Sequence, residues 1–153
     1  MLRLSKLTDY AVVVLVRLSR EVGVQTSPGI AVTTGIPEPT VAKVLKALAA
    51  GGLVASQRGA RGGYRLLRPL SAIPIADVIA TVDGPIALTA CVEASAVECE
   101  SQALCPMRGR WDPVNEAIQQ ALSSITLADM QEAAIPRAFR VPERIQASIP
   151  AAE

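Results

Sequence analysis

Residues 37–52 read PEPTVAKVLKALAAGG, and this stretch decides the fold. Its large apolar residues follow the i, i+3, i+4, i+7 spacing of one helix face: Val41, Val44, Leu45 and Leu48. The opposite face carries Lys43 and Lys46, with Thr40 on its shoulder and no acidic residue. Because a glycine pair then ends the apolar pattern, we predict a helix with a buried face and a short, cationic outer face.

A shorter helix comes before this one. Ser27 and Pro28 have the form of an N-cap and a first helical residue, and Thr34-Gly35 that of a stop, which predicts a helix over about 28–34. Two helices joined by a tight, glycine-containing turn, the second with a basic outer face, are typical of a helix-turn-helix whose recognition helix enters the major groove. The alternative is an ordinary helical hairpin with a solvated lysine face.

A basic hairpin follows the recognition helix. Two strand-like runs, residues 53–58 and 64–68, are separated by the loop sequence GARGG, whose glycines suit positive-φ positions. Four arginines lie in this hairpin, and no acidic residue occurs between Glu38 and Asp77: Arg58, Arg61, Arg65 and Arg68. A basic hairpin in this place predicts a wing that puts guanidinium groups on phosphates or in a narrow minor groove. Face and charge make Lys46, Arg61 and Arg65 candidate contacts to double-stranded DNA.

The first helix of the chain is apolar on more than one side. Ser5 is its expected N-cap, and one face repeats at helical spacing as far as about Arg20: Leu7, Ala11, Val14, Leu15 and Leu18. The other side carries valines as well: Val12, Val13 and Val16. A helix that is apolar nearly all round must be covered on several sides, which favours burial against a partner subunit as well as the chain's own core.

The second half of the chain contains a linking helix over 74–82, an irregular cysteine segment, a helix from about 109 to 124 and a further turn at 126–130. The apolar residues of the later helix share one face: Trp111, Val114, Ile118, Ala121, Leu122 and Ile125. We therefore expect four parts: a winged helix-turn-helix over 1–70, a linking helix and cysteine loop over 71–108, a helical segment over 109–134, and a disordered, proline-containing tail over 135–153.

Charge divides the chain in the same way. The 153 residues carry 15 lysines and arginines against 14 acids, a net charge of +1. Residues 1–68 have a net charge of +7, whereas residues 69–153 have −6. A basic front half suits a polyanionic partner, although a solvated helical surface would also explain it.

Composition excludes several classes of function. The chain has no histidine, so Ser-His-Asp, Cys-His and His-ligated metal sites cannot form within it, and we expect no enzyme. Four aromatic residues give too few stacking platforms for a single-stranded nucleic-acid binder. The apolar run at residues 11–16 is far shorter than the roughly 18 residues of a membrane span. We expect a cytoplasmic protein without a membrane partner.

Three cysteines carry the remaining chemistry. Cys91, Cys99 and Cys105 leave seven and five residues between them, wider than the spacing of about two to four in zinc knuckles. Soft thiolates in one loop could wrap an iron–sulfur cluster. Spacing alone leaves two alternatives open, namely buried inert cysteines and a thiol–disulfide switch.

The opening LRLSKLTDYA (2–11) and the wing RGARGGYRL (58–66), with three cysteines beyond a helix, resemble the IscR/NsrR family of winged-helix, iron–sulfur-cluster transcription regulators. The opening is most similar to the branch that controls the SUF cluster-assembly operon, and the resemblance covers about residues 1–132. It implies a mainly α fold, a winged helix-turn-helix with a two-stranded wing, and a homodimer in which a long C-terminal helix, here within 109–134, crosses to the partner. The alternative for that helix is packing on its own chain.

The resemblance also implies ligands for a cluster. Three cysteines of this loop ligate it in the family, which assigns Cys91, Cys99 and Cys105 to a cluster of two or four irons. IscR-like members have a histidine where this chain has Arg108, which cannot ligate. NsrR-like members use an aspartate near the start of the first helix, reaching from the other subunit, and Asp9 matches it. A helix N-terminal charge is the alternative role of Asp9. Three loop glutamates are further ligand candidates: Glu93, Glu98 and Glu100.

On the DNA side, Thr40 and Lys43 match family positions that face bases or phosphates, and Arg58 matches the wing arginine. Ala42 stands where IscR has a glutamate that discriminates between operator classes. The resemblance thus implies a dimeric repressor that senses cluster or redox status and controls SUF genes. The alternatives are a nitric oxide-sensing iron–sulfur repressor, a cluster-free thiol sensor, and a cluster carrier without operator binding.

Overall fold

The computed structural model describes residues 3–101 and 103–132. Helix α1 (Lys6–Ser19) begins where the sequence predicts, because the side chain of Ser5 accepts a hydrogen bond from the backbone N–H of Thr8 at 3.2 Å. Its inner face is buried: Thr8, Ala11, Val14, Leu15 and Leu18. The predicted cap and the predicted apolar face of this helix are therefore confirmed.

Helices α2 (Ser27–Thr34) and α3 (Glu38–Ala50) form the predicted helix-turn-helix. Gly35 ends α2 in the left-handed region, at φ 73°. The four apolar residues of α3 are completely buried: Val41, Val44, Leu45 and Leu48. The prediction of Ser27 as N-cap of α2 is wrong by one residue. The backbone of Thr26 is extended and its hydroxyl accepts from Gly29 N–H at 3.2 Å, so Ser27 is already helical.

The wing consists of strands β1 (Val54–Gln57) and β2 (Gly63–Leu66), paired antiparallel with Val54 opposite Leu66. A third segment joins them, since the backbone of Gln25 exchanges two hydrogen bonds with Tyr64, at 2.9 and 2.8 Å. The wing is thereby fixed to the segment between α1 and α2.

A 3-10 turn (Leu70–Ala72) leads into helix α4 (Ile75–Asp83), and helices α5 (Asp112–Ser124) and α6 (Leu127–Gln131) follow the cysteine segment. The described residues between α4 and α5 form no helix or strand, as predicted. Helix α5 and the short helix α6 correspond to the predicted helix over about 109–124 and the predicted further turn at 126–130. Gly109, at φ 70°, precedes the start of α5, and Thr126 caps α6 through a capping box with Asp129.

The end of the described chain closes the core begun by its first helices. Leu127 of α6 is fully buried in the same apolar cluster as α1 and α3. Two backbone hydrogen bonds hold it there, from Ile75 N–H to Ile125 O at 2.8 Å and from Leu127 N–H to Ile73 O at 3.0 Å. Among the described residues, no helix combines the length and apolarity needed to cross a membrane. The predicted tail over 135–153 lies outside the described residues.

Candidate nucleic-acid interface and cysteine loop

The recognition helix α3 presents the cationic face that the sequence predicts. Lys43 and Lys46 are exposed, Thr40 is half-buried at the first turn, and Ala42 is exposed beside them. The helix packs its opposite face against α1, α2 and α4. Its only acidic residue, Glu38, lies in the first turn, where the helix dipole favours a negative charge. The outer face is therefore free to meet a polyanion.

The three candidate wing arginines are exposed on the hairpin: Arg58, Arg61 and Arg65. Within residues 3–101 and 103–132, none of them forms an ion pair. Arg68 has a different role, because its guanidinium donates to Asp77 Oδ2 at 3.1 Å and to the Ala72 carbonyl at 3.2 Å. It ties the base of the wing to α4, while the other three remain available for phosphate.

The candidate metal ligands lie in a loop without regular structure. Cys91, Cys99 and Cys105 are free thiols and all are half-buried. The Thr89 hydroxyl lies 3.0 Å from the Cys91 sulfur. Asp9 is exposed in the first turn of α1. In the described part of the chain, no three His, Cys, Asp or Glu side chains are placed to hold a metal ion together. The donor set has the soft chemistry that iron–sulfur clusters use, but the described residues of one chain do not bring it together.

Side chains of α5 hold the loop on both sides of Cys91. The Asn115 carboxamide accepts from Leu88 N–H at 3.0 Å and donates to the Ile86 carbonyl at 3.0 Å, and Asp112 Oδ1 accepts from Glu93 N–H at 3.1 Å. Gln119 also donates to the Ile86 carbonyl, at 3.0 Å. The role of Asn115 was not predicted, because its partners are backbone groups of a distant loop and α5 carries two other carboxamides, Gln119 and Gln120.

An open depression of about 420 Å³ lies beside this anchored segment. Cys91, Glu98, Arg108 and Asp112 line it, so one of the three thiols faces a space bordered by charges of both signs. Cys99 and Cys105 are not among its lining residues. The loop therefore presents Cys91 to a different environment from the other two cysteines.

The predicted apolar face of α5 is incompletely covered in a single chain. Trp111 and Val114 remain 39% and 44% exposed, and the only buried residue of the helix is Asn115. Val13, on the second apolar side of α1, is 40% exposed. Two helices thus keep apolar surface that the described residues of their own chain leave exposed.

The end of α4 is attached to the start of α1. Asp83 Oδ2 accepts hydrogen bonds from the Thr8 hydroxyl at 2.8 Å and from Ser5 N–H at 3.1 Å. Partial burial raises the pKa of Asp83, but the hydrogen bonds from Ser5 and Thr8 outweigh it and leave the pKa below the ordinary value of 3.8. The carboxylate form is the one that fits this contact.

Residues 4–133 match the family model described as "Rrf2: Iron-dependent Transcriptional regulator". The chain belongs to the Rrf2 family. A Rhodobacter capsulatus protein named as an rrf2-like HTH-type transcriptional regulator is 34% identical over 113 residues, which cover 71% of this chain and 75% of that protein.

Two solved structures are similar to this Rrf2-family chain. CymR, described as the global cysteine regulator of B. subtilis, is 30% identical with a TM-score of 0.65, over 87% of this chain and 98% of CymR. T. potens IscR is 28% identical with a TM-score of 0.61, over 95% and 96% of the two chains.

The fold, the basic outer surface and the family agree on one activity. This Rrf2-family protein is a DNA-binding transcriptional regulator with the winged helix-turn-helix architecture of its relatives. The relatives with functional names are named as regulators rather than enzymes. The chain is similar to both IscR and CymR. Its branch of the family, and with it the signal, must therefore be inferred from its own residues.

Proposed function

We propose that this regulator senses iron–sulfur cluster status, with Cys91, Cys99 and Cys105 holding the cluster and Asp9 of the partner subunit as fourth ligand. The observation that carries the proposal is the presence of three free, half-buried thiols in one irregular loop anchored on α5. The iron-dependent description of the family and the similarity to IscR support it. When bound, the cluster supplies thiolate-ligated iron that is open to oxidation or loss.

The chain's own residues would turn a change in the loop into a change in DNA affinity. Asn115, Gln119 and Asp112 hold the loop to α5, so reordering of the loop acts directly on this helix. The uncovered apolar faces of α5 and α1 support a homodimer, because exposed apolar surface of this kind is stabilised by a second copy. A dimer would set the spacing of two α3 helices relative to operator half-sites.

On the DNA, we assign Thr40, Lys43 and Lys46 to the major groove and its phosphates, and Arg58, Arg61 and Arg65 to the phosphates beside the wing. The exposure of the lysines and arginines supports this assignment. The opening residues, which resemble the SUF-controlling branch, support repression of cluster-assembly genes as the outcome.

A cluster-free thiol sensor is the second candidate. Two observations favour it: the similarity to CymR, and the absence of a three-ligand group among residues 3–101 and 103–132. Nitric oxide sensing by the cluster is a variant of the first candidate that Asp9 favours.

Anaerobic purification with iron and sulfide quantification tests the proposal. We expect visible absorbance together with iron and sulfide in matching amounts. Both should be lost in Cys91→Ser, Cys99→Ser and Cys105→Ser. Both should be retained in Ser101→Ala, a substitution in the same loop that removes no thiol. DNA binding is then compared between cluster-loaded and stripped protein, using the duplex upstream of its own coding sequence and a scrambled duplex. A colourless protein whose DNA affinity changes on thiol oxidation would replace the cluster proposal with the thiol sensor.

A further inference from the structure

Helix α4 is well placed to connect the cysteine loop with the DNA-binding helices. It packs against α1, α3 and α5. Its last residue, Asp83, is followed by Gly84 at φ 90° and by Pro85, and the anchored segment at Ile86 begins immediately afterwards. Any displacement of the loop therefore reaches α4 through two residues.

The Asp83 carboxylate fastens that end of α4 to the first turn of α1. Oδ2 accepts from both the buried Thr8 hydroxyl and the backbone N–H of Ser5, which is the N-cap of α1. A carboxylate at the C-terminus of a helix is disfavoured by the dipole of its own helix, whereas at the N-terminus of another it is favoured. The position of Asp83 is thus explained by the contact with α1 and not by the stability of α4.

The last turn of α4 lies against the end of the recognition helix. Gly51, which ends α3, lies directly against the Thr81 side chain, so closely that a Cβ on Gly51 would collide with it. Since there is little space at this contact, a shift of this turn of α4 towards α3 would press on the end of α3. One helix thus touches the cap of α1 at Asp83 and the end of α3 at Thr81.

We propose that Asp83 is a positioning residue that couples the state of the cysteine loop to α1 and to the recognition helix. This proposal rests on the proposed function, in which the loop is the sensor. Asp83 holds the end of α4 on the Ser5 cap, and this anchorage lets α4 pass a change in the loop both to α1 and, through Thr81, to Gly51. Among the described residues the hydrogen bonds of Asp83 are to Ser5 and Thr8, and it is not one of the assigned DNA contacts or cluster ligands, so we expect it to act on the difference between two loop states.

The test uses Asp83→Ala and, in case that variant does not fold, Asp83→Leu, which has a similar shape to aspartate but no acceptor oxygen. Asp77→Ala is the matched control, because Asp77 is a carboxylate of the same helix that binds Arg68 instead of α1. The first readout is amide hydrogen exchange in α1 and α3, measured on the full chain with its cysteines reduced or alkylated with iodoacetamide. This readout does not depend on which signal the loop senses.

We expect alkylation to change exchange in the first turn of α1 and the last turn of α3 in the wild type and in Asp77→Ala, but not in the Asp83 variants. An unchanged wild type, or Asp83 variants that respond like the wild type, would overturn the proposal. A residue that only stabilises the fold would raise exchange equally in both loop states.

The second readout is the ratio of the DNA affinities in two loop states. The first comparison uses cluster-loaded and stripped protein, and the second uses reduced and diamide-oxidised protein. Wild type and Asp77→Ala should show a ratio of about fivefold or more, and the Asp83 variants a ratio near one. If exchange responds but the wild-type ratio is one in both comparisons, the proposed sensing function fails while the coupling through Asp83 stands. If the wild-type ratio is large and the Asp83 variants keep it, the coupling fails alone.

Discussion

Gly63 lies against the carbonyl of Gln25 so closely that a Cβ on Gly63 would sit 2.5 Å from that oxygen. The neighbouring residue, Tyr64, exchanges two backbone hydrogen bonds with Gln25. The glycine at this position therefore serves the pairing of the wing with the segment between α1 and α2, and its backbone at φ 154° is one that other residues rarely adopt.

Substitution Gly63→Ala should displace the wing. The added methyl group collides with backbone, which cannot move aside as a flexible side chain can, so we expect a loss of unfolding free energy greater than the roughly 1–3 kcal/mol of backbone strain alone. Gly59→Ala is the control, because Gly59 also has positive φ but open space around its Cβ position. If urea unfolding gave equal losses of unfolding free energy for the two variants, the contact of Gly63 with Gln25 would not contribute to stability.

Lys43→Ala and Lys46→Ala should each weaken DNA binding in a salt-dependent way. If each lysine binds one phosphate, the slope of log affinity against log salt should fall by about 1 per variant. Arg110→Ala removes an exposed cation outside the winged region and should leave the slope unchanged. If a lysine variant lowered the affinity but kept the full salt slope, that lysine would not contact a phosphate and a base contact would be indicated instead.

Removal of the Asn115 carboxamide should loosen the cysteine loop. Asn115→Ala leaves the Leu88 N–H without its acceptor, and a buried unsatisfied group of this kind costs about 1–3 kcal/mol. We expect a lower melting temperature together with faster reaction of the thiols with Ellman's reagent. Gln120→Ala, at an exposed position of α5, should change neither measurement appreciably. Faster thiol reaction in both variants would assign the effect to α5 as a whole.

Acid should weaken the contact between α4 and α1. Because the pKa of Asp83 in the folded protein is below 3.8, its carboxylate contributes stability above that pH, and the contribution is lost as the pH falls through the lower, folded value. Wild type should therefore lose unfolding free energy below about pH 4 more steeply than Asp83→Asn. The two curves are measured by urea unfolding between neutral pH and pH 3, and parallel curves would contradict the assignment.

Asp9→Ala should alter the cluster and little else. Asp9 is exposed, so its removal should change the unfolding free energy by less than about 0.5 kcal/mol. We expect a shifted anaerobic spectrum or faster oxidation in air. The same measurements on Glu93→Ala, Glu98→Ala and Glu100→Ala distinguish the candidate fourth ligands. If the Asp9 variant were unchanged and one glutamate variant were altered, that glutamate would be the fourth ligand.

Features that depend on local chemistry could be predicted from the sequence. The buried face of α3 follows from its spacing, the start of α1 from Ser5, and the exposure of Lys43 and Lys46 from their place opposite that face. The hairpin follows from two short runs and a glycine-rich loop. In each case one helix, cap or turn is specified by residues close together in the chain.

Features that depend on distant partners could not be predicted. The pairing of Gln25 with Tyr64 joins residues far apart in sequence, and neither shows a strand pattern around it that would reveal the contact. The choice of Thr26 over Ser27 as cap rests on backbone angles that both residues tolerate. Asn115 is buried because two loop backbone groups meet it, which composition of the helix alone does not show.

The burial of Leu127 bears on how the protein is made. Its side chain completes a core whose other walls come largely from the first eighty residues, and the backbone hydrogen bonds around it reach back to Ile73 and Ile75. A nascent chain therefore lacks part of its core until this residue has left the ribosome. We expect DNA binding to begin only after synthesis has passed Leu127, by which point the cysteine loop has also been made.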